Sequence, residues 1–276
     1  IKIARLYGHK KGIEQPCIIV ADAAFHGRTM ATLTATGNRK VQAGFEPLVG
    51  GFVRVPYNDL ASIEQIAEQM QNVVAVLIEP IQGEAGIQIP DEEYLIGIRN
   101  ICNAQGWLMI IDEVQSGNCR TGAYFCYQHS GITPDLVATA KGLGNGVPIG
   151  VCLASGAAAE VFGPGNHGST FGGNPLSCAV ALTVLEEFER LDIQQHVTTI
   201  GEYMLEKFSD RLGHLNLVRD IRGKGLMIGI ELEHPCTELV QKALEKGLLI
   251  NVTADSVIRL LPPLIINQDE AEQICD

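Results

Sequence analysis

Basic residues are in short supply. Lys and Arg number 20 against 32 Asp and Glu in 276 residues, a formal charge of −12. Sequence-independent nucleic-acid binding needs a basic face for the phosphates, so no nucleic-acid partner is expected. Long apolar runs are also missing. The longest are broken by Gly, Glu or Pro, so no transmembrane helix is expected. There is no CxxC pair and no Cys/His group at zinc spacing, so no metal site is expected. No GxxxxGKS or GxxxxGKT occurs, and no GxGxxG follows a strand pattern, which argues against a P-loop nucleotidase and a dinucleotide fold. Internal repeats, low-complexity tracts and a visible signal peptide are absent, and the opening IKIARLYGHKKG reads as the end of a helix.

What is present belongs to a globular chain. With 46% apolar and 19% charged residues, disorder is excluded. The length suits one large domain or two smaller ones. Most of the cysteines (Cys17, Cys102, Cys126, Cys152, Cys178, Cys236 and Cys275) read as small buried hydrophobes in a reducing cytoplasm. Cys119, in the turn SGNCRTG, is the expected exception, although neither a base nor an orienter for a catalytic thiol is identifiable.

Short runs rich in Val and Ile recur at 17–22, 52–57, 73–80, 107–113, 136–140 and 150–155. Continuous apolar runs suggest strands buried on both faces, as in a parallel sheet. Helical patterns lie between and after them at 59–71, 91–106 and 175–191. Strands alternating with helices predict an α/β domain with a mostly parallel sheet flanked by helices. Beyond it, helix 194–213, the run VRDIRGKGLMIGIELE, helix 236–246 and the runs GLLINV and IRLLPPLII suggest a smaller α+β domain. The expected domains are 1–190 and 191–276.

Several residues carry chemistry, each beside a blander reading. Asp112 and Glu113 end the strand run WLMII, where ligands of open parallel sheets bind, or else serve as turn or cap residues. Lys141 follows the run LVATA and is placed for partial desolvation, which makes a good amine nucleophile; alone, such a Lys is more often a surface residue. The useful signal is their pairing at strand ends beside Gly-rich turns. In FHGRT, Arg28 suits a carboxylate and Phe25 a ring face, or they are a surface Arg and a core Phe. HGSTFGGNP, with Ser169 and Thr170 before a Pro-started helix, makes a plausible phosphate cup. Glu84 in QGEAG reads alone as a solvated turn acid.

FHGRT, EPIQGEAG, IIDEVQSG, ATAKG, HGSTFGGNP and IRLLPPL occur in this order along nearly the whole chain. In these motifs the sequence resembles the class III aminotransferases, pyridoxal-phosphate enzymes of fold type I. The resemblance implies that Lys141 holds the cofactor as an internal Schiff base and carries the proton. Asp112 would pair with the pyridine nitrogen and keep it protonated. Val114 and Phe25 would sandwich the ring, Gln115 would contact its hydroxyl, and Thr170 would bond the phosphate from a partner subunit. Arg28, Ser169 and Arg259 would bind substrate, with Arg28 and Arg259 gripping carboxylates. Glu84 would pair with Arg259 when the amine donor lacks a carboxylate at that end. The implied activity moves the terminal amino group of N-acetylornithine to 2-oxoglutarate, in arginine biosynthesis, by a cytoplasmic homodimer with a shared site. Ornithine, succinylornithine and 4-aminobutyrate are alternative donors, and a catalytically incomplete fragment is the rival from another class.

Two motifs depart from the family pattern: Cys119 stands at a usual Gly, and AKGLGNG replaces AKALGGG. The family's segment SGAEANEAA, which supplies a phosphate cup at a helix N-terminus, does not precede IKIAR. The last helix is expected to be cut short at Asp276. The chain is therefore expected to be a piece of a longer protein that alone binds the cofactor weakly and does not transaminate.

Overall fold

The computed structural model describes residues 1–276. The chain forms two compact units. The first comprises Ile1–Pro80, Pro90–Gln115 and Tyr127–Thr183, and the second Ile81–Ile89, Ser116–Cys126 and Val184–Asp276.

The first unit opens with α1 (Lys2–Lys10) and β1 (Cys17–Ala21), followed by α2 (Met30–Ala35), α3 (Arg39–Gln42), β2 (Phe52–Val55), α4 (Leu60–Gln69) and β3 (Val73–Ile78). Then come α5 (Glu92–Gln105), β4 (Leu108–Asp112), β5 (Leu136–Thr139) and β6 (Val151–Ala154). The sheet order is β2-β1-β3-β4-β5-β6. Its strands run parallel except β6, which pairs antiparallel with β5. Alternation along the buried strands explains their unbroken apolar runs. Ile19, Ala21, Val76, Ile78, Met109 and Ile111 face one cluster with Ile63 of α4 and Tyr94 and Ile98 of α5. Ile18, Val20, Ala75, Leu77, Leu108 and Ile110 face another with Ala4 of α1. A strand covered on both faces has no solvent side on which to place polar residues.

Local signals set the helix ends. The Asp59 side chain accepts from Ser62 N at 3.1 Å, capping α4. Gly106 closes α5 at φ 65, the left-handed cap that Gly takes without strain. At β6 the run GVCLAS does not give a doubly buried strand: it is an edge strand, and Leu153 is 44% exposed. Cys152 and Cys178 are exposed, against the expectation of burial. Cys119 is buried, and burial pushes its thiol up to about 12, so it is not the exceptional cysteine. It sits at φ 66, the left-handed region that favours glycine.

The second unit contains the end of α6 (Pro175–Arg190), then α7 (Ile193–Leu212), β7 (Val218–Lys224), β8 (Met227–Leu232), α8 (Leu239–Glu245), β9 (Asn251–Thr253), β10 (Val257–Leu260) and α9 (Gln268–Cys275). Its antiparallel sheet has the order β7-β8-β10-β9. Val197, Met204 and Phe208 of α7 pack on Ile228 and Ile230 of β8 and Leu260 of β10. The turn at Gly225 is a three-way backbone crossing. Leu226 N donates to Arg120 O at 3.0 Å, and the Arg120 guanidinium donates to the carbonyls of Leu226 and Pro262. Burial lowers that guanidinium to about 10.

Gly201 of α7 meets the same crossing: a Cβ there would lie 2.3 Å from Gly225 O. Gly201→Ala must push helix and turn apart, and roughly 1–3 kcal/mol of stability should be lost. Denaturant unfolding of the variant checks this; an unchanged midpoint would mean that the two segments part freely.

Candidate active site

Parallel strands end on one edge, so their carboxyl-terminal loops converge. Asp112 is the last residue of β4, Glu79 follows β3, FHGRT follows β1, and Lys141 lies just beyond β5. The sequence scatters these residues over more than a hundred positions, and the sheet gathers them. Phe25, His26, Gly27, Glu79, Asp112, Val114, Gln115 and Lys141 line one cavity of about 90 Å³.

The carboxylate is held from two sides. Asp112 Oδ1 accepts from Val114 N at 3.1 Å, and Oδ2 lies 2.8 Å from His26 Nδ1. A carboxylate offers only acceptors, so the ring nitrogen is the donor. Both side chains are largely shielded, at 2% exposure for His26 and 12% for Asp112. His26 is the residue that the reading of FHGRT missed. It lay inside a motif already chosen for Phe25 and Arg28, but nothing local announces a partner 86 positions away.

Further residues fix the loop that carries His26. Buried Thr36 accepts from His26 N at 2.9 Å and donates to Gly27 O at 3.2 Å. Arg54 donates to the carbonyls of Ala21, Thr34, Ala35 and Thr36, closing the C-terminal end of α2. Glu79, 5% exposed, accepts from Phe25 N at 2.9 Å. Arg28 is exposed, with its guanidinium 5.6 Å from the Phe25 ring centre.

Lys141 is exposed and adopts φ 46. A non-glycine residue there carries backbone strain. Ser169 and Thr170 lie on the exposed loop 162–174, and neither lines the cavity.

In the second unit, Arg259 of β10 donates through Nη1 to Glu84 Oε1 at 2.7 Å and to Gly83 O at 3.2 Å. Glu84 thus is not merely a solvated turn acid. Its loop is closed by reciprocal backbone bonds between Gln82 and Gln88, both 3.0 Å. It is clamped by Arg222, which donates to the carbonyls of Gly86 and Ile87. Ile87 sits at φ 53, a conformation a β-branched residue keeps only when its surroundings impose it. Arg222, in RDIRGKG, carried no sequence signal for this task.

No helix is long and apolar enough to cross a membrane. No group of three or more His, Cys, Asp and Glu side chains is placed to hold a metal ion.

An amine, a fixed carboxylate, an aromatic wall and an aliphatic wall around one cavity form the donor set that a pyridine aldehyde cofactor requires. The sequence profile of the class-III aminotransferases matches residues 1–276. The chain belongs to this family of pyridoxal-phosphate enzymes, as its ordered motifs suggested. It is 57% identical over 274 residues to an acetylornithine aminotransferase of Nitrosomonas europaea, covering 99% of this chain and 70% of that one. An acetylornithine aminotransferase of Aquifex aeolicus is 46% identical over 273 residues, with the same coverage. Among solved structures, an ornithine aminotransferase from Toxoplasma gondii superposes with a TM-score of 0.96 at 32% identity, covering 99% of this chain and 67% of that one. The α/β architecture with its mostly parallel sheet is the fold of these neighbours.

Proposed function

We propose that this aminotransferase moves the terminal amino group of N-acetylornithine to 2-oxoglutarate by a ping-pong cycle. The products are N-acetylglutamate semialdehyde and glutamate, in a step of arginine biosynthesis. The observation that carries this reading is the Glu84–Arg259 pair at 2.7 Å. One set of residues must accept both an amine donor with a neutral acetamide end and a dicarboxylic acid. An arginine neutralised by a neighbouring acid suits the first, and the same arginine released from it suits the second. The 57% identical relative carries the matching name.

When bound, pyridoxal phosphate supplies the electron sink that makes the proton beside the transferred amine acidic. The chain's own residues do the rest. Lys141 Nζ holds the cofactor and carries the proton. Asp112, held by His26, would pair with the pyridine nitrogen and keep it protonated. Phe25 and Val114 cover the ring faces, and Gln115 orients the ring hydroxyl. Arg28 and Ser169 assist in binding substrate, and Thr170 bonds the phosphate of a partner subunit in a cytoplasmic homodimer. Support for a second copy comes from apolar side chains left bare on the first unit: Phe171 is 80% exposed, Leu176 70% and Leu182 57%. Such groups mark an interaction surface when contiguous.

The two half-reactions, measured separately on the full-length protein, test the reading. Arg259→Ala should lower kcat/KM for 2-oxoglutarate by roughly 10²-fold, as for loss of a charge-assisted pair worth about 2–3 kcal/mol. It should change the N-acetylornithine half-reaction less than about threefold, because there the guanidinium is already neutralised. Glu84→Gln should shift preference towards α-amino donors. Equal damage to both half-reactions by Arg259→Ala would reject the exchange, and a panel of ω-amino donors ranks N-acetylornithine against ornithine and 4-aminobutyrate.

A further inference from the structure

The Glu84–Arg259 pair has a third member that no motif singled out. Asn251 of β9 stands directly opposite Arg259 in the antiparallel β9–β10 pair. Its Oδ1 accepts from Arg259 Nη2 at 3.1 Å, while Nη1 donates to Glu84 at 2.7 Å. The two arms of the guanidinium therefore meet acceptors of different kinds. Nη1 meets the charged Glu84 and, at 3.2 Å, the Gly83 carbonyl, both on a loop, while Nη2 meets a neutral amide on a strand. Directly opposed residues of an antiparallel pair keep their side chains adjacent whatever a neighbouring loop does. The Arg259 side chain is 11% exposed and Glu84 40%, so the acid is the more open of the pair.

We propose that Asn251 is a specificity-determining positioning residue, which holds Arg259 by its Nη2 arm so that the Nη1 arm can exchange between Glu84 and the distal carboxylate of a dicarboxylate substrate. The inference rests on the reading of Glu84 and Arg259 above. Its core is charge. An amide oxygen accepts a hydrogen bond without cancelling the guanidinium charge. With Glu84 withdrawn, Arg259 remains oriented by Asn251 and presents its full charge to the incoming diacid. An aspartate at this position has nearly the same shape, but it adds a counter-ion tethered to the strand that no substrate displaces. That arrangement keeps Arg259 neutralised and favours the donor that has no second carboxylate.

The experiment compares Asn251→Asp with Asn251→Thr, which keeps a neutral acceptor on a residue suited to a strand. Both half-reactions are measured on the cofactor-loaded protein. Binding of glutarate, a five-carbon diacid without the keto group, is measured by calorimetry. For Asn251→Asp, kcat/KM for 2-oxoglutarate should fall about tenfold, through KM rather than kcat, with a parallel loss of glutarate affinity. The N-acetylornithine half-reaction should stay within about threefold, and Asn251→Thr should retain most of the diacid preference. Unchanged glutarate binding by Asn251→Asp overturns the proposal, as does an equal loss in Asp and Thr variants or an equal loss in both half-reactions. Arg259→Ala separates the two levels. If it is selective against 2-oxoglutarate while Asn251→Asp is not, the role of Asn251 alone fails. If it damages both half-reactions equally, the exchange beneath it fails.

Discussion

Lys141→Ala is expected to abolish transamination in both half-reactions. Losing one acid–base group costs ~10²–10⁴-fold, and losing the covalent anchor of the cofactor adds to that. The fold should survive. Lys141 is exposed at φ 46, and Ala pays the same left-handed strain, since both residues carry a Cβ. Lys141→Gly, which relaxes that strain, should be equally inactive yet more stable than Lys141→Ala by up to about 1 kcal/mol. Half-reaction kinetics with thermal melts of all three proteins check both statements. Turnover by Lys141→Ala within tenfold of the parent would remove this lysine from the reaction.

The second large effect belongs to Asp112. Asp112→Asn keeps the shape but puts a neutral amide beside His26, whose Nδ1 lies 2.8 Å from the native carboxylate. It also removes the charge that keeps the cofactor's ring nitrogen protonated. Breaking a shielded charge pair costs about 3–5 kcal/mol, which corresponds to roughly 10²–10⁴-fold in rate if the loss falls on the transition state. The loss should appear in kcat for both half-reactions, because both need the electron sink. It should not resemble the selective KM effect expected at Arg259. A fully active Asn variant would show that the carboxylate charge is dispensable.

These two residues could be chosen from sequence because their signals are local. A doubly buried strand has an unbroken apolar run, and a charged residue directly after it marks the strand's end. WLMII followed by Asp112 has this form, and LVATA followed by Lys141 has it apart from the buried Thr139. The parallel order then brings such ends to one edge. The helix boundaries at Asp59 and Gly106 are local for the same reason: capping involves backbone groups within one turn.

What the tertiary structure alone decided is which distant groups meet. Thr36 and Glu79 hold the FHGRT loop, His26 holds Asp112, and Arg222 and Asn251 hold the Glu84–Arg259 pair. None of these has a periodicity or a spacing, because a hydrogen bond that joins a side chain to another segment's side chain or backbone depends on strand register and loop path. The direction of β6 and its exposed Leu153 are of the same kind: an apolar run reports β-propensity, while edge or interior position depends on neighbours. Cys119 makes the point most plainly. In sequence it is a cysteine in a glycine-rich turn, open to reading as an exposed thiol. In the fold it is a buried apolar group at φ 66, packed in the second unit's core, because the turn around it is folded into that core.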